Sequence, residues 1–195
     1  DCTSLKKLVF PDSLESIGNS AFLGCTGIES LNVPFVGQTA TANQKVSWMF
    51  GEAAKSSLKE VTVRGNVAIG DNAFDSYVAL EKVTLSAATS IGNRAFYNCI
   101  SLRGIDIPDS CTSIGDYAFY SCSLLEDVEF SNNLLSIGNS AFYDCTSLKK
   151  LVFPDSLESI ANEAFADCSL LADVEFSNNL LSIGDGAFDD CTSLK

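Results

Sequence analysis

Eight cysteines and no histidine are the features of this sequence that bear most directly on chemistry. A thiolate can attack a carbonyl, ligate a metal or pair as a disulfide. The missing histidine removes the commonest general base and the commonest zinc ligand. A metal also needs converging ligands, and no CxxC pair occurs. Acidic residues number 25 against 12 basic ones, for a net charge of −13 and a pI of about 4.2. Asp185, Asp189 and Asp190 lie close together, but no calcium-loop pattern surrounds them. The phrase GNSAF recurs without any base to serve its serine, and no glycine-rich phosphate loop is found. The chain is therefore expected to be no enzyme and to hold no metal or cofactor. An acidic surface of this kind repels phosphate backbones and anionic lipid, so no nucleic acid is expected as a partner. No run of eighteen apolar residues suggests membrane insertion.

The cysteine spacing points to what must position these residues. Six of them, Cys25, Cys99, Cys122, Cys145, Cys168 and Cys191, each follow a phenylalanine by three residues, and Cys2 begins the same CTSLK phrase as Cys145 and Cys191. Cys111 instead takes the place of Leu14. The whole sequence is an internal repeat. SLKKLVFPDSLESI occurs at 4–17 and again at 147–160, and DVEFSNNLLSIG at 127–138 and 173–184. Eight units start at 4, 27, 57, 79, 101, 124, 147 and 170, with an irregular insertion at 35–56 and truncated repeats at both ends. They form a single domain over 1–195. Leu5, Leu8 and Phe10, and their equivalents, have strand spacing ended by proline, and stacked strands make a parallel sheet. Asn or Asp follows two residues after the isoleucine in all seven regular units and just precedes Ala-Phe. Read as an N-cap, it predicts one short helical or 3₁₀ turn per unit. Seven phenylalanines should then stack as one core column, with the cysteines inward as small hydrophobes. Coils about 5 Å apart leave a bridge between neighbouring thiols sterically conceivable.

The phrase IGxxAFxxC at this period resembles the BspA-like, or treponemal-class, leucine-rich repeats. The resemblance covers the whole chain except parts of 35–56. It implies an α/β solenoid: a right-handed leucine-rich-repeat superhelix with short parallel strands on one face and short helical turns on the other. It also implies an extracellular or cell-surface location. The implied function is an adhesin-like module contacting protein partners, host matrix or cell-surface glycoproteins among them. A repeat stalk presenting another domain is the alternative, favoured by near-identical copies that match at exposed as well as buried positions.

Three surfaces are candidates for contact. On the strands, charge alternates from unit to unit (Lys6, Glu29, Lys59, Glu81, Arg103, Glu126, Lys149), which favours the correct register. The next column (Lys7, Ser30, Glu60, Lys82, Gly104, Asp127, Lys150, Asp173) largely alternates too, but a third does not alternate and turns acidic, so Thr62, Thr84, Asp106, Glu129 and Glu175 form a candidate contact stripe. The insertion carries Val46, Trp48, Met49 and Phe50, apolar enough to plug the core and equally able to form a protruding contact loop. Tyr97, Tyr120 and Tyr143 follow the core phenylalanine in three consecutive units and are expected as a column on the convex side, binding or merely half-buried. The two ends match in sequence, which predicts head-to-tail self-association.

Overall fold

The computed structural model describes residues 2–42 and 45–195; Asp1, and Asn43 and Gln44 within the irregular stretch, lie outside the described residues. The chain winds as a parallel β-solenoid of about eight coils with little helix. In chain order the elements are β1 (Lys7–Val9), β2 (Ser30–Val33), α1 (Ser47–Phe50), a 3₁₀ segment (Gly51–Ser56), β3 (Glu60–Val63), β4 (Lys82–Leu85), β5 (Gly104–Asp106) and β6 (Ser113–Ile114). They continue with β7 (Asp127–Glu129), β8 (Ser136–Ile137), β9 (Lys150–Val152), β10 (Ser159–Ile160), β11 (Asp173–Glu175) and β12 (Ser182–Ile183).

Two ladders run along the stack. The front ladder is β1-β2-β3-β4, followed by the separate pairs β5-β7 and β9-β11. Its middle residues, such as Leu31, Val61, Val83, Ile105 and Leu151, point inward and are buried. Their neighbours alternate outward, as the two-residue strand period requires. The rear ladder joins Ile69 to Ile91 and Ile91 to Ile114 by single bridges, then continues through β6, β8, β10 and β12.

The expected helical turns are not helices. Each regular coil instead makes a turn with two residues in the left-handed region, four apart: Ser20 and Gly24, Asn72 and Ser76, Arg94 and Asn98, through Gly186 and Asp190. Alternate amides leave the coil. Asn72, Phe74 and Ser76 donate to the carbonyls of Asn93, Ala95 and Tyr97, while Ala73, Asp75 and Tyr77 donate locally, three residues back. A helix would consume all of these donors within the segment, whereas this turn uses half of them to bind the next coil.

The recurrent Asn or Asp is therefore no N-cap. Its Oδ1 accepts the amide of its counterpart in the following coil: Asp71 from Asn93 (2.8 Å), Asn93 from Asp116 (2.8 Å), Asp116 from Asn139 (2.7 Å) and Asn162 from Asp185 (2.8 Å). Among the described residues, the link from Asn139 to Asn162 is missing, and there Ala161 replaces the preceding glycine. A Cβ at Gly92 would lie 2.6 Å from Asp71 Oδ1, so glycine is needed to let the coils approach. Its φ is not positive.

Six phenylalanines stack as expected. Successive centroids from Phe74 through Phe96, Phe119, Phe142 and Phe165 to Phe188 lie 4.9–5.4 Å apart and nearly parallel. Phe22 meets Phe50 of the insertion, at 5.6 Å and tilted by 34°.

Candidate functional site

The outward strand column follows the register. Thr62 pairs with Thr84, Asp106 with Glu129, and Glu175 with Val152. Thr84, Asp106, Glu129 and Glu175 are exposed and Thr62 is half-buried. Among the described residues no backbone hydrogen bond joins β7 to β9. A cavity of about 520 Å³ lies over this break and collects Asp106, Asp127, Glu129 and Lys150 above Ile105, Val128, Phe130 and Phe153. Phe130 and Phe153 still stack at 5.4 Å beneath it. Thr62 and Thr84 do not line the groove, and Glu175 reaches it only through Lys150.

The charges over the groove are unevenly compensated. Lys150 Nζ lies 2.5 Å from Glu175 and 3.1 Å from Asp173, and these hydrogen bonds raise its pKa. Among the described residues, Asp106, Asp127 and Glu129 have no ion pair. Asp127 and Gly104 were not singled out from the sequence. The signal was there: Gly104 stands beside Asp127 in the register position where Lys82 stands beside Glu60.

The insertion lies mostly inside the stack. Val46, Met49 and Phe50 are fully buried, and Trp48 is half-buried with Nε1 3.4 Å from the carbonyl of Ile17. The α1 carbonyls of Trp48 and Met49 accept the turn amides of Ser20 and Phe22. The insertion thus substitutes for the turn its unit lacks.

The tyrosine column forms as parallel rings, Tyr97 to Tyr120 at 5.0 Å and Tyr120 to Tyr143 at 4.9 Å. Stacking hides the ring faces between neighbours and presents edges and hydroxyls. The carboxylate of Asp167 beside the Tyr143 hydroxyl, together with burial, pushes its pKa up to about 12.

The thiols are placed for structure. All eight are free, and all but Cys2, which is exposed, are buried. Cys99, Cys122, Cys145, Cys168 and Cys191 each donate an S–H to the carbonyl of the phenylalanine one coil back, at 3.1–3.3 Å. They are thus hydrogen-bond donors as well as small hydrophobes. Burial raises Cys99 and Cys145 well above the usual thiol range and Cys122 to about 12, which keeps them protonated and poor nucleophiles. Among the described residues no group of three or more Cys, Asp or Glu is placed to hold a metal, and no helix is long and apolar enough to cross a membrane.

The family model for the BspA-type leucine-rich repeat region matches residues 1–89 and 67–195, with six copies. The chain belongs to this family. Among solved structures, the BspA-type domain is similar to the leucine-rich repeat protein of T. pallidum, with 27% identity and a TM-score of 0.67 over 97% of this chain and 78% of that one. A leucine-rich repeat protein of Bacteroides ovatus is 26% identical with a TM-score of 0.54, covering 99% of this chain and 66% of that one. A third, from Eubacterium ventriosum, shares the fold at 21% identity and a TM-score of 0.51, over 96% of this chain and 59% of that one. No curated protein matches the sequence. Leucine-rich repeat domains generally mediate protein–protein interaction, and the BspA-type domain belongs to that class of scaffold.

Proposed function

We propose that this domain is a non-enzymatic protein-binding module of a secreted or cell-surface protein, adhesin-like, which contacts host or neighbouring-cell proteins through its strand face. The observation that carries the reading is the groove over β5, β7 and β9. It spans three coils, has an apolar floor, and is rimmed by Asp106, Asp127 and Glu129. An extended segment crossing it would meet apolar contacts at the centre and charge at the rim, the usual anatomy of a protein interface. Parallel strands joined by crossovers favour a right-handed winding, which the family resemblance also implies. The insertion residues and the edges of Tyr97, Tyr120 and Tyr143 are secondary candidates; the burial of Val46, Met49 and Phe50 makes the insertion the weaker of the two.

Binding to immobilised fibronectin, fibrinogen and mucin at physiological salt tests the proposal. Saturable binding that weakens when Asp106, Glu129 and Glu175 become Ser supports it. A folded domain that binds none of the three favours a spacer role, which the identical phrases at 4–17 and 147–160 also support.

Self-association of the 195-residue chain is a further part of the proposal. The coil beginning at 170 repeats 127–138 and exposes Phe176, Leu181 and Ile183, while the first coil repeats 147–160. The last coil of one chain can therefore meet the first of another as the sixth meets the seventh. Sedimentation should show chain-to-chain association rising with concentration, and a monomer throughout would remove this element.

A further inference from the structure

The residue after the core phenylalanine forms a column that reads Asp75, Tyr97, Tyr120, Tyr143, Ala166 and Asp189. Three stacked rings end at Ala166, where the side chain is a methyl. The stack below does not close up in response. Phe142 to Phe165 is 5.1 Å and Phe165 to Phe188 is 5.4 Å, the same spacing as under the tyrosines. The missing ring therefore leaves a slot beside the last tyrosine. A cavity of about 140 Å³ lies there, lined by Tyr143, Glu163, Ala166, Asp167, Asp189 and Asp190.

The slot has an aromatic wall and an uncompensated acidic rim. Its four carboxylates have no ion pair among the described residues. Glu163 accepts a hydrogen bond from Ser140 Oγ at 3.2 Å, and Asp189 accepts the amide of Asp190 at 3.1 Å. The same column already seats one cation. Arg94, which occupies in its coil the position Glu163 occupies here, holds its guanidinium 4.9 Å from the Tyr97 centroid and 5.5 Å from that of Tyr117.

We propose that the slot over Ala166 receives the guanidinium of an arginine side chain from a partner protein. A guanidinium is planar, weakly hydrated and stacks on aromatic rings, and its forked N–H groups match carboxylates in pairs. One plane of it replaces the missing ring, as the next member of the stack. A hydrated metal ion gains nothing from the ring, and a neutral sugar leaves the four acids unanswered. This site lies on the turns, apart from the strand-face groove, and stands or falls independently of that reading.

The test is an amide NMR titration of the whole chain at low salt with N-acetyl-arginine methylamide, with its lysine counterpart and calcium as separate arms. The expected result is saturable shifts at Tyr143, Glu163, Ala166, Asp167, Asp189 and Asp190, stronger for arginine than for lysine. Ala166→Tyr should abolish them by filling the slot with the ring that three neighbouring coils already carry, so the variant keeps its fold. Tyr143→Leu should weaken binding by at least about fivefold while leaving the carboxylates in place. No saturable shifts with arginine, equal shifts in Ala166→Tyr, unchanged affinity in Tyr143→Leu, or calcium binding more tightly at these residues would each overturn the proposal.

Discussion

The first four coils and the last four are held together differently. In the first, β1 to β4 form one continuous front sheet, and the rear contact is carried partly by the insertion, with Ile17 donating to Gln38. In the last, the front sheet is split into β5-β7 and β9-β11, while β6, β8, β10 and β12 make an unbroken rear ladder beside the Asn/Asp chain. The two halves therefore differ in which face carries the continuous strand ladder. The groove lies where the front ladder lapses between β7 and β9. A solenoid with redundant ladders can lose one locally and keep its core, and that is how it can open a surface without unfolding.

The largest expected effect tests whether the insertion is a full substitute in the first half. Phe50 and Phe119 are both fully buried against another ring, Phe50 from α1 tilted against Phe22 and Phe119 from a regular turn stacked on Phe96. Truncating Phe119 to Ala should cost about 3–5 kcal/mol in urea unfolding. Phe50→Ala should cost the same if the plug is equivalent, and markedly less if the irregular coil relaxes into the space.

Glycine sharpens the contrast along the rear face. A Cβ at Gly138 would lie 2.6 Å from the carbonyl carbon of Gly115 and 2.7 Å from Asp116 N, so Gly138→Ala should destabilise by about 1–3 kcal/mol. Among the described residues, nothing lies within 4 Å of a Cβ at Gly18, the equivalent position in the first coil. There Gly→Ala should be neutral or stabilise by up to about 1 kcal/mol. Equal losses at the two sites would mean that backbone conformation, and not approach of the next coil, fixes the glycine.

A smaller effect of opposite sign is expected beside the insertion. Tyr77 takes the place of the cysteine in its coil, and its buried hydroxyl has no partner among the described residues. Burial raises its pKa. Tyr77→Phe removes the unsatisfied group and should raise stability by about 1 kcal/mol, seen as a higher urea midpoint with the slope unchanged.

The repeat length, the strands, the phenylalanine column and the inward thiols were legible because burial imposes a period on side-chain type. The turn was not. Asn or Asp before Ala-Phe signals a helix cap when only one segment is considered, and the acceptor in fact serves the next coil, a partner 22 or 23 residues away. Residues such as Glu163 and Tyr117 in the left-handed region carry no composition cue at all. The stripe was visible in the sequence as a column, but the groove, which takes only Asp106 and Glu129 of it, depends on where a ladder lapses, which is a property of two coils together. The slot at Ala166 was hidden for the same reason: an alanine in a tyrosine column is visible, but the unchanged coil spacing that leaves it open is not.

The smallest expected effect compares matching ion pairs across a closed and an open part of the front ladder. Lys6 meets Glu29 at 2.6 Å where β1 and β2 are bonded, and Lys149 meets Glu126 at 2.7 Å where β7 and β9 are not. Side-chain exposures are alike, 62% and 42% for the first pair and 60% and 38% for the second, so burial does not separate them. In both, the hydrogen bond from lysine lowers the glutamate pKa. A carboxylate lowered on folding adds stability that is present above its unfolded pKa and is lost as pH falls through its folded value. Replacing Lys6 or Lys149 by Met should therefore shrink the drop in Tm between neutral and acidic pH, and salt should shrink it further. Side chains that cross the gap between β7 and β9 act without backbone bonds beside them, so Lys149→Met should change the Tm more than Lys6→Met. Equal changes would mean that the phenylalanine stack and the rear ladder alone set the spacing of the sixth and seventh coils.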